Sequence, residues 1–94
     1  MILPASAITQ LEELRRKIDR LDTRLVQVLA ERRECVRRIC ALKQRAGLPL
    51  RDSSRETAIR KRCLRLAELL GLETALLDQV LETLFMQVES PPQE

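Results

Sequence analysis

The chain has 94 residues, a formal charge of +3 and no His, Trp or Tyr, with Phe85 as its one aromatic residue. A monomer of this length buries only about 60–65% of its unfolded-chain surface, so the core has to be small and aliphatic. Without His, Ser-His-Asp and Cys-His catalysis and His-ligated metals are excluded, and two Gly leave too little turn material for an all-β fold.

Residues 1–6 read as a loose lead-in, with no basic segment and too short an apolar stretch for a signal peptide. From Leu11 the apolar positions run Leu11, Leu14, Ile18, Leu21, Leu25, Val28, Cys35, Ile39 and Leu42, in steps of three and four broken only at Arg32. This is a heptad seam. No Gly or Pro falls between Pro4 and Gly47, so the spacing predicts one helix from about residue 7 to 45, roughly 58 Å long. So long a helix cannot bury its stripe on the short remainder of the chain. It requires a second long helix, hence a dimer.

Gly47 and Pro49 end that helix. Ser53 and Glu56 fit a capping box that starts a second helix, with Ile59, Cys63, Leu66 and Leu70 on its apolar face and Gly71 as its C-cap. A third helix carries Leu76, Leu77, Val80, Leu81, Leu84, Phe85 and Val88 at helical spacing, and Pro91-Pro92 should stop it, leaving residues 89–94 as a tail. The expected architecture is a single all-α domain over residues 1–94, with one long helix and two short ones.

Basic and acidic residues are interspersed, as on a solvated helix surface, and aromatic side chains for base stacking are absent, so nucleic acid is not an expected partner. No apolar run approaches the roughly 20 residues of a membrane span. Cys35, Cys40 and Cys63 form no C-x-x-C pair and read as reduced, small apolar residues of a cytoplasmic protein.

Arg32 occupies a seam position, where a charge is costly unless paired. Lys43 lies 11 residues on, about 20° from the same direction and roughly 16 Å along the axis. Val36 and Ile39 fall between them. The stripe of cation, two apolar side chains and cation suits a small apolar body bearing an anionic group. A plain alternative is that Arg32 extends to solvent or makes a structural ion pair. Asp52 and Glu56 add acceptors beside the cation Arg55, or serve only as a cap with a surface ion pair. Arg15 lies about 25 Å and about 100° away from Arg32 on the same helix. One chain therefore cannot close both on one small ligand, whereas an antiparallel partner helix brings its own Arg15 alongside.

These residues carry a resemblance. L-R-x-K-I-D-x-L-D at 14–22, L-A-E-R-R at 29–33, Lys43, and P-x-R-D-x-x-R-E at 49–56 resemble the all-helical, type II chorismate mutases of bacteria. The motifs are dense over about half the chain, and residues 57–88 agree in helical pattern alone. The resemblance implies an intertwined homodimer of three-helix chains with shared active sites, rearranging chorismate to prephenate without a cofactor or metal. It implies that Arg15 of one chain and Arg32 of the other grip substrate carboxylates. Lys43 would contact a carboxylate and the ether oxygen of the breaking C–O bond. Asp52 and Glu56 would address the ring hydroxyl, Arg55 would complete the cationic wall, and Val36 and Ile39 would pack on the ring.

One departure stands out. The family carries Ser and, four residues later, Gln or Glu near the end of the third helix, the latter donating to the ether oxygen. Ungapped alignment places Val88 and Pro92 there, and neither side chain can donate. A small insertion offers Glu89 and Gln93, or Ser90 and Glu94. The same fold also serves isochorismate-pyruvate lyase and aminodeoxychorismate mutase chemistry. A ligand-sensing or docking domain of a larger shikimate-pathway enzyme, without catalysis, is the reading from a different class.

Overall fold

The computed structural model describes residues 4–89. It is all-helical over that range, with α1 at Ala5–Ala46, α2 at Ser53–Leu70 and α3 at Thr74–Glu89. The stop expected at Pro91-Pro92 lies outside the described residues. The chain divides into two compact units, Met1–Cys35 and Val36–Glu94.

In the first unit every described residue from Ala5 onward belongs to α1. The helix starts two residues inside the segment read as a lead-in. The Pro4 carbonyl accepts from the amides of Ala7 and Ile8, at 3.0 and 3.1 Å, so the helical ladder begins there. Proline suits a helix start because the N–H it lacks would have had no partner. Ala5 and Ala7, strong helix formers, continue it. The seam is present at the expected spacing, but among the described residues none in this unit is buried. Leu14 is 60% and Leu25 57% exposed, and Leu11, Ile18, Leu21 and Val28 are exposed as well. Each such side chain gains roughly 1.5–3 kcal/mol on full burial, so the stripe holds a large stabilisation that this unit does not itself realise.

The second unit comprises the last turns of α1, with α2 and α3. Gly47, at φ 69°, closes α1: its amide donates to Gln44 O at 3.2 Å and that of Leu48 to Lys43 O at 2.8 Å. Gly71, at φ 70°, closes α2 in the same way, onto Glu68 O and Ala67 O. Only glycine takes this left-handed conformation without strain. The short turn at residues 71–73 folds α3 back on α2 as an antiparallel hairpin. Arg60 on α2 pairs with Asp78 and, at 3.7 Å, with Glu82 on α3, while its guanidinium lies 5.6 Å from the centroid of the Phe85 ring. Cys40, Ala67, Leu81 and Phe85 are the buried core. All belong to this unit.

The α2 start departs from the expected capping box. The N-cap is Asp52, in extended conformation (φ −128°, ψ 99°), and its Oδ1 accepts from the Arg55 amide at 3.0 Å. Ser53 is the first helical residue instead. The carboxylate is a charged acceptor facing the positive end of the helix dipole, which a serine hydroxyl is not. Glu56 meanwhile binds Arg51.

Candidate functional site

The second unit gathers most of the charged candidates around the segment between α1 and α2. Lys43, in the last turn of α1, is half-buried, and its Nζ donates to the Leu50 carbonyl at 3.0 Å. An ammonium has three donors, so two remain for a ligand. The next residue, Arg51, forms a two-pronged pair with Glu56: Nε to Oε2 at 2.8 Å and Nη2 to Oε1 at 2.9 Å. The residue after that, Asp52, caps α2 through the Arg55 amide. Three consecutive residues thus anchor Lys43, Glu56 and the backbone of Arg55. The Arg55 side chain is exposed, and Val36 is half-buried while Ile39 is exposed on the final turns of α1.

The first unit holds Arg15 and Arg32. Arg15 is exposed. Arg32 is half-buried, and its Nη1 is shut off from solvent with no hydrogen-bond partner. Leaving a charged donor dry and unpaired costs about 1–3 kcal/mol or more. The two arginines lie 17 positions apart on α1, about 25 Å along its axis. One chain does not bring them together.

At the C-terminal end, Val88 is half-buried on α3 and offers no side-chain donor. Glu89 is the last helical residue. Ser90, Pro92, Gln93 and Glu94 lie outside the described residues. Arg51 enters the sequence reading only as the first arginine of P-x-R-D-x-x-R-E, with no role assigned to it. Its signal was a basic residue just ahead of the helix start and five positions before Glu56, a spacing that belongs to no helix or strand periodicity.

Chemically, the second unit offers a half-buried ammonium at Lys43, a carboxylate at Glu56 held by Arg51, and a half-buried apolar side chain at Val36. Cys35, Cys40 and Cys63 are free. No helix among the described residues is long and apolar enough to cross a membrane.

The family model described as chorismate mutase type II matches residues 14–89. The chain is 33% identical over 61 residues to a chorismate mutase of Methanocaldococcus jannaschii, a match covering 65% of this chain and 62% of that protein. It is 40% identical over 57 residues to a bifunctional chorismate mutase/prephenate dehydratase of Aquifex aeolicus, covering 61% of this chain and 16% of the relative. It is 36% identical over 76 residues to the T-protein of Haemophilus influenzae, covering 81% and 20%. The chain thus spans less than two thirds of the length of each of these relatives. No solved structure matches.

Proposed function

The chain belongs to the type II chorismate mutase family, and on that premise we propose that it rearranges chorismate to prephenate, on the cytoplasmic route to phenylalanine and tyrosine. The observation that carries this reading is the dry, unpartnered Nη1 of Arg32, a charged donor at the position for which the sequence resemblance implies a carboxylate grip.

The reaction is pericyclic. It needs no nucleophile, metal or obligatory proton transfer, which fits a chain without His. What it does need is a flexible dianion held in a chair-like reactive shape, an orientation effect, and stabilisation of negative charge growing on the ether oxygen. Arg32 supplies a planar fork to one carboxylate. Lys43, with two ammonium donors left over, contacts the other carboxylate and the ether oxygen. Asp52 and Glu56 accept from the ring hydroxyl, Arg55 adds positive charge, and Val36 and Ile39 cover the ring.

The active form in this proposal is a homodimer with shared sites, in which the partner subunit's Arg15 completes each site. The exposed seam of the first unit supports it: a second α1 is the partner whose stripe matches in length and spacing. A second reading rests on Val88, whose side chain cannot donate to the ether oxygen. Here the domain binds the same dianion without turning it over.

The test is to add chorismate to the purified chain, follow its absorbance loss and assay products. Prephenate is the expected result. Pyruvate would redirect the reading to a lyase, and binding without turnover would select the second reading.

A further inference from the structure

We infer that Arg51 is a positioning residue for this reaction: it holds the Glu56 carboxylate as an oriented, anionic acceptor for the substrate's ring hydroxyl. The inference rests on the reading of Glu56 proposed above and adds to it a residue outside the expected site.

The argument begins with geometry. Both prongs of the Arg51–Glu56 pair are short, at 2.8 and 2.9 Å, and they engage both carboxylate oxygens. A fork of this kind fixes the plane of the carboxylate as well as its distance. Unheld, a glutamate side chain samples several rotamers and must be ordered when a ligand arrives. The carboxylate has about four lone-pair sites, and the fork takes two, leaving two for a hydroxyl. The Glu56 side chain is 18% exposed and that of Arg51 39%, so the acceptor is the more sheltered partner.

Placement makes the same point. Arg51 sits between Leu50, whose carbonyl receives Lys43 Nζ, and Asp52, which caps α2. The backbone carrying the arginine is therefore pinned on both sides. A guanidinium on a pinned backbone transmits a fixed position to what it holds. A mere surface ion pair would contribute less than about 1 kcal/mol to stability and nothing to hydroxyl recognition.

The test compares the parent chain with Arg51→Gln, Arg51→Lys, Glu56→Gln and the double variant Arg51→Gln/Glu56→Gln. The substrates are chorismate and an analogue whose ring hydroxyl is replaced by hydrogen. Arg51→Gln is expected to lower kcat/KM for chorismate about 10-fold, and by less than about 2-fold for the analogue. In the Glu56→Gln background, losing Arg51 should add less than about 2-fold. Arg51→Lys keeps the charge but not the fork, and should recover part of the loss. An equal loss with both substrates, additive losses in the double variant, or no loss at all would overturn the inference while leaving the mutase reading intact. Failure of the parent chain to turn over chorismate would overturn both.

Discussion

The two units of this chain contain the same kind of sequence and reach opposite outcomes. In the first, Leu14 and Leu25 sit on a regular apolar stripe and remain more than half exposed. In the second, Leu81 and Phe85 sit at equally regular positions and are 4% and 3% exposed. Helical spacing is common to both. The difference is the turn at Gly71, which folds α3 onto α2, whereas no turn interrupts α1 among the described residues of the first unit. A stripe becomes a core only where the chain returns to cover it. The second unit therefore holds its own packing energy, and the first leaves its stripe uncovered, as the proposed dimer requires.

The largest expected effect tests that contrast directly. Leu21→Glu places a charge in the seam of each proposed protomer, and the dimer constant should weaken by about 1,000-fold or more, read by sedimentation at micromolar concentration. An unchanged mass would show that the seam is not the interface. Lys43→Ala should lower kcat by about 100- to 1,000-fold with the helical circular dichroism unchanged, because it removes the cation proposed to contact the ether oxygen and leaves the core alone. Retained activity would take Lys43 out of the mechanism.

Leu81→Ala acts on the other side of the comparison. It should destabilise the second unit by about 2–5 kcal/mol through cavity formation, measured by urea unfolding. The parent's midpoint should also rise with protein concentration if folding is linked to association. Mixing Arg15→Ala and Arg32→Ala chains in equal amounts should restore about a quarter of parent activity, since half the dimers are mixed and each has one intact site. No recovery would argue against shared sites. The smallest effect is local. Gly71→Ala meets no atom within 4 Å but must take φ 70°, and should cost about 1 kcal/mol in thermal stability.

The legible parts of the site were those that obey a short-range rule. Arg32 was marked by interrupting the seam, and Lys43, Val36 and Ile39 by sharing its direction on one helix. The start of α2 lies one residue earlier than a capping box at Ser53 predicts, because Asp52 and Ser53 are both good caps and their order is decided by competition. Once Arg51 claims Glu56, the reciprocal bond of a capping box at Ser53 has no donor-facing carboxylate to make it. Arg51 itself left no periodic trace, since its partner lies across a loop–helix junction.

The sequence by itself determined where helices run and where they break, because helix propensity, glycine C-caps and proline act over a few residues and are written in consecutive letters. Its charged motifs also determined the family. The tertiary structure alone decided which of many equivalent leucines are buried, which carboxylate caps α2, and which cation holds Glu56. Those outcomes depend on what lies opposite in space, and a hydrophobic or charged side chain has no stabilising value until something is placed against it.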